Sequence, residues 1–218
     1  MNKKIPILLF TIVCILDLIG VYFEQNTIIF MAKPLIMVTL IWYYFVNTKT
    51  LNKLFVAGLF FSFLGDVLLM GNGELHFILG LLFFLIAHVF YIILVVNLLK
   101  NTKLSQVILA SIPYLLLFTV LLTILYSGLG EMKIPVIIYA LTISVLGMSS
   151  LVLFLQNKVK TNLVLVLAVL IFIISDTVLA LNMFYKKQSF YPILIMITYV
   201  IAQYLICRFV LLNERKNK

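Results

Sequence analysis

Charge is the scarcest commodity in this chain. Only 11% of its 218 residues are Asp, Glu, Lys or Arg, and the acidic side chains number seven. A soluble domain is about a quarter charged and about half apolar, whereas 65% of this sequence is hydrophobic. Those proportions exclude a cytoplasmic globular enzyme, a nucleic-acid binder and a disordered chain. Cysteine is almost as rare. Cys14 and Cys207 each sit in an apolar run, with no CxxC or metal-type spacing, and read as small packing residues. Histidine occurs twice and only His88 lies in an apolar run, so a three-His zinc site is excluded, and one His with two carboxylates makes at best a weak metal site. Small residues ahead of a cleavage point are missing too. Lys3 and Lys4 precede an apolar stretch, but no A-x-A-like site follows and Val13 is too large to precede a lipoprotein-type cleavage at Cys14, so the segment is expected to stay as a first span.

What the chain has in abundance is apolar runs of membrane-crossing length. They read as eight spans, roughly Ile5–Phe23, Ile28–Val46, Leu54–Met70, Phe77–Leu99, Leu104–Tyr126, Ile134–Leu155, Leu163–Tyr185 and Phe190–Leu212. The polar links between them are short, which predicts an all-α, up-and-down helical bundle forming a single integral-membrane domain over residues 1–218. Basic residues then set the orientation. With the N-terminus cytoplasmic, twelve of the sixteen Lys and Arg fall on the inner side, against Lys133, Lys186 and Lys187 outside and Lys33 within a span. This positive-inside bias predicts a multi-pass protein of the cell (plasma or inner) membrane with both termini cytoplasmic. The formal charge of +9 is thereby explained by topology, without any nucleic-acid partner.

Three of the seven acidic residues, Asp17, Asp66 and Asp176, fall within spans, where a charge costs roughly 2.5–3.5 kcal/mol even on insertion scales. At about 1.5 Å per residue, Asp66 lies about 6 Å below the outer end of its span, Lys33 about 7 Å, Asp17 about 10 Å, Asp176 about 14 Å and His88 about 18 Å. Ionisable groups from five helices thus gather in the outer and middle bundle, as a polar cavity opening outward requires; Arg208, near the inner end, can snorkel. Asp17 is the weakest candidate and reads first as a packing residue. Gly58, Ser62, Gly65 and Asp66 share one helical stripe, whose small residues let a neighbour approach the carboxylate. Gly80, Phe84, Ala87, His88 and Tyr91 form a similar stripe, and Tyr199 and Gln203 stand one turn apart. A faint internal echo relates Gly65-Asp66-Val67-Leu68-Leu69 to Ser175-Asp176-Thr177-Val178-Leu179, and Ala87-His88 to Ala202-Gln203, as two parallel four-helix halves would.

Taken in order, the strings Lys33-Pro34-Leu35, Gly65-Asp66-Val67-Leu68-Leu69-Met70, Gly80-Leu81…Phe84…Ala87-His88…Tyr91, Ser175-Asp176…Leu179-Ala180 and Tyr199…Ala202-Gln203…Leu205-Ile206 resemble the YhhN-type lysoplasmalogenase family of multispanning membrane proteins. The resemblance runs from the second span to the eighth. It implies a hydrolase that cleaves the vinyl ether of a lysoplasmalogen to a fatty aldehyde and a glycerophosphoethanolamine or glycerophosphocholine.

Such a bond is acid-labile, because protonation of its β-carbon gives an oxocarbenium ion that water captures. Two carboxyl groups in different surroundings serve a related cation in glycosidases. The expected catalytic residues are therefore Asp176, the deeper one, as general acid, and Asp66, nearer the water, as base or stabiliser, with His88 orienting Asp66 or the water; the sequence also allows the acid and base labels to be exchanged. Lys33 is a candidate contact for a lipid phosphate, and Tyr139, Tyr199 and Gln203 are candidate wall residues of the substrate site. The expected partners are a single-chain (lyso) ether phospholipid and the bilayer. No cofactor motif is present, no metal is expected, and nothing in the sequence fixes an oligomeric state. A proton-coupled transporter of small molecules or lipids is the alternative reading of intramembrane aspartates, although the spans lack paired mid-helix Gly/Pro breaks.

Overall fold

The computed structural model describes residues 4–216, so Lys3 and Lys218, two of the basic residues that set the expected orientation, lie outside the described residues. Eight α-helices follow one another: α1 Lys4–Tyr22, α2 Asn26–Asn47, α3 Lys53–Leu69, α4 Glu74–Val96, α5 Leu104–Leu125, α6 Lys133–Gln156, α7 Lys160–Phe184 and α8 Tyr191–Lys216. Each nearly coincides with an apolar run in the sequence, because a backbone in hydrocarbon must satisfy its hydrogen bonds within its own helix. Seven are long and apolar enough to cross a membrane. The other, α3, has 17 residues, the lower end of the roughly 17–25 that a span uses. The protein is an all-α, multi-pass integral membrane bundle.

Most consecutive helices are neighbours, with α3 pressed on α4 and α7 on α8, but α5 departs from the simple serial order. The chain packs α4 directly against α6 and leaves α5 outside, resting on α6 and touching α7. Only Ala110, Tyr114 and Leu125 of α5 are buried. Gly147 makes this docking possible, since the ring of Tyr114 occupies the space a side chain there would fill.

At the end that carries the termini, α8 continues past the apolar run and brings Glu214 back to α2. Tyr44 Oη donates to Glu214 Oε1 at 2.8 Å, Thr48 Oγ1 donates to Glu214 Oε2 at 2.8 Å, and the Asn52 N–H donates to Tyr44 Oη at 2.9 Å. The carboxylate thus ties α8 to the turn between α2 and α3. Hydrogen bonds to a charged group contribute about 1.5–3 kcal/mol, so Glu214→Ala is expected to cost about 2 kcal/mol. Tyr44→Phe should weaken the same clamp. Thermal unfolding of both variants and their double mutant in detergent should show costs that do not add.

Candidate functional site

At the opposite end, where short connections join α1 to α2, α3 to α4 and α7 to α8, a cavity of about 1360 Å³ runs down into the bundle. Its mouth is made by Glu24, Asn26, Gly71, Asn72, Gly73, Glu74, Lys187 and Ser189, and its depth by Lys33, Asp66, Phe84, Ser175, Asp176 and Tyr199. Asp66 and Asp176 therefore share one hollow although 110 positions separate them in sequence.

Local sequence explains how α3 delivers its carboxylate. Gly58 and Gly65 remove the side chains that would hold α4 away, and Tyr91 and Phe84 of α4 lie over them. The stripe of small residues therefore does what its spacing suggests. Behind Asp66 a buried polar relay joins three helices: Tyr91 Oη donates to Gln203 Oε1 at 3.0 Å, and Gln203 Nε2 donates to Ser62 Oγ at 3.0 Å. Leaving any of these groups unpaired in hydrocarbon would be costly, so the relay fixes α3, α4 and α8 in register.

Each aspartate accepts one tyrosine hydroxyl. Tyr199 Oη donates to Asp66 Oδ2 at 2.7 Å, and Tyr139 Oη donates to Asp176 Oδ2 at 2.8 Å. His88 stands beside Asp176, with Nε2 4.0 Å from Oδ2, too far for a hydrogen bond. Its ring meets Phe172 at 4.8 Å and Tyr139 at 5.3 Å between centroids, both edge-on. Among the described residues neither ring nitrogen of His88 finds a hydrogen-bond partner.

Three expectations need correction. First, depth along a helix does not rank exposure: Asp66, nearer its helix end, is 3% exposed, while the deeper Asp176 has 16% of its side chain exposed. α3 is flush against α4 with Tyr199 closing over its carboxylate, whereas the cavity follows α7 down to Ser175 and Asp176. Second, His88 is wholly buried and adjoins Asp176, not Asp66, and it does not line the cavity. Third, of the four candidate substrate-binding residues, Lys33 and Tyr199 reach the cavity. Tyr139 stands behind Asp176, and Gln203 is enclosed in the relay.

Lys33 acts electrostatically on both Asp66 and Asp17. Asp17 is fully buried on α1 outside the cavity lining, and neither of its oxygens has a hydrogen-bond partner among the described residues. The charges at the mouth, Glu24, Glu74 and Lys187, were not singled out in the sequence because loop charges beside a membrane are commonplace. Among the described residues, no group of three or more His, Cys, Asp or Glu side chains comes together as a metal-ligand set.

The two halves of the chain cross over at this site. Asp66 on α3 is held by Tyr199 on α8, and Asp176 on α7 adjoins His88 on α4.

The chain belongs to the YhhN family, whose family model matches residues 28–210. No curated protein and no solved structure matches it.

Proposed function

We propose that this member of the YhhN family hydrolyses the vinyl ether bond of a single-chain ether phospholipid within the cavity. The observation that carries the reading is the placement of Asp66 and Asp176 in the lining of one cavity, open at the end away from the termini. Membrane carboxyl groups are costly enough to mark functional positions, and acid cleavage of an enol ether needs a proton donor and a basic or anionic group near the same carbon pair.

Charge, rather than depth, separates the two roles. Lys33 compensates a carboxylate at Asp66, while the groups facing Asp176 are Tyr139 and His88. Asp176 accordingly delivers its proton to the β-carbon, and the resulting oxocarbenium ion is stabilised by ionised Asp66. Asp66 then takes a proton from the attacking water, and the hemiacetal formed collapses as Asp176 takes its hydroxyl proton and Asp66 returns a proton to the departing glycerol oxygen, which gives the aldehyde and the glycerol hydroxyl and restores both carboxyl groups. Across the cycle one water is consumed and one carbon–oxygen bond is broken. Tyr199 and Tyr139 hold the carboxyl groups in place, and His88 is a positioning residue behind Asp176. The basic residues at the end bearing the termini support a cytoplasmic placement of that end and an outward-facing cavity.

The test is product analysis by mass spectrometry with purified protein and a panel of lysolipids bearing vinyl-ether, alkyl-ether or ester linkages. Aldehyde released from the vinyl ether alone is the expected result. Fatty acid released from the ester, or no product from any of the three, would overturn the reading.

A further inference from the structure

Two seams join helices from the N-terminal half of the chain to helices from the C-terminal half, one between α4 and α6 and one between α8 and the α1–α2 pair, and they are closed differently. The α4–α6 seam is shut at the depth of the aspartates by the rings of His88 and Tyr139. Nearer the mouth, Leu129, Met132 and Val136 cluster with Phe77, Ile78 and Leu81. The other seam is tied by polar and ring contacts only toward the termini. There Phe10 meets Tyr204 at 6.0 Å, Tyr43 meets Tyr204 at 6.0 Å and approaches Arg208 at 3.5 Å, and Tyr44 bonds to Glu214. From Lys33 and Tyr199 up to the mouth, no hydrogen bond or ring contact joins α1 or α2 to α8 among the described residues. There both sides line the cavity, Val21 and Ile29 from α1 and α2 and Ile193 and Met196 from α8.

From this asymmetry we infer that the α1/α2–α8 seam is a lateral portal that holds the hydrocarbon chain of a single-chain lipid. The inference rests on the lipid-hydrolase reading above. The chain cannot continue downward, because below Tyr199 the bundle is packed with Tyr91, Gln203, Phe172 and Ala202, all 2% exposed or less. It cannot leave through the α4–α6 seam either. With the polar end of the lipid among Glu24, Glu74 and Lys187 at the mouth, the linkage between head and chain falls at the level of the aspartates. The chain then leaves sideways, between apolar banks, into the bilayer from which the lipid came. An apolar chain lying between Ile29 and Ile193 gains from burial what a water-facing cleft would deny it.

The test uses the full chain in vesicles of phosphatidylethanolamine and phosphatidylglycerol, and a single-chain ether phospholipid carrying a diazirine in mid-chain. After illumination, adducts are expected on Val21, Ile29, Ile193 and Met196 themselves. Adducts confined to α5, to the α4–α6 seam or to the mouth loops would overturn the portal. This readout needs no turnover, so it judges the portal even if none of the lipids is cleaved. A second arm narrows the seam with Ile193→Trp. Labelling on the α1–α2 bank should drop, and kcat/KM for a long-chain lysolipid should fall about tenfold, a typical effect of misfit in an apolar pocket, with a smaller loss for a short-chain, water-soluble vinyl ether. Unchanged labelling, or equal losses for both chain lengths, would count against it.

Discussion

Replacing either cavity aspartate by asparagine is expected to lower vinyl-ether hydrolysis by about 10²–10⁴-fold, the range that a positioned general acid or base contributes. The fold should survive, because Asn retains a carbonyl oxygen for the hydroxyl of Tyr199 at position 66 or Tyr139 at position 176. Melting temperatures within a few degrees of the parent would establish that. The two variants should differ in one respect. When Asp176 no longer donates the proton, hydronium is the remaining donor, so the residual rate of Asp176→Asn should climb as pH falls in proportion to hydronium concentration. Asp66→Asn keeps its proton donor and lacks the group that activates water, so its residual rate should rise less steeply on acidification. Inverted pH responses would exchange the roles, and parental rates in both variants would end the paired-carboxylate mechanism.

The helices were legible in the sequence because the bilayer imposes a length: a span must be about 20 apolar residues, and little else produces eight such runs in 218 positions. Asp66 and Asp176 were legible for a related reason, since a carboxyl group in an apolar run is too costly to be incidental. What the sequence hid is rotational and lateral. When every face of a helix is apolar, periodicity no longer says which face meets a neighbour. Nothing in residues 104–125 marks α5 as the helix that would stand outside, with α4 reaching past it to α6. The same blindness applies to His88, whose depth was computable but whose neighbour, Asp176 rather than Asp66, was not. Glu214 reads as part of a polar tail until Tyr44 and Thr48, more than 160 positions away, are seen to hold it.

The glycines of α3 offer the sharpest test of how the site is held together. A Cβ at position 58 would clash with the edge of the Tyr91 ring, and one at position 65 would come within 2.6 Å of Phe84. Tyr91 has little freedom to yield: it is 2% exposed, its hydroxyl is bonded to Gln203, and its ring stacks on Phe55 at 6.2 Å. Gly58→Ala is therefore expected to destabilise the protein by about 1–3 kcal/mol, the range for overpacking, despite the gain in helix propensity that Ala usually brings. In a Tyr91→Ala background the space is vacant, so the cost of Gly58→Ala should vanish, a coupling that unfolding in detergent would reveal as non-additivity. Additive costs would mean that α3 and α4 slide apart to accommodate the methyl group and are not locked. The effect should reach the chemistry. Asp66 lies on α3 about two turns beyond Gly58, so pushing α3 away from α4 shifts the carboxylate relative to Tyr199. A misplacement of about 1 Å can cost about a hundredfold in rate. The activity lost in Gly58→Ala should therefore exceed what its folded fraction explains, and recover in part when Tyr91 is shortened.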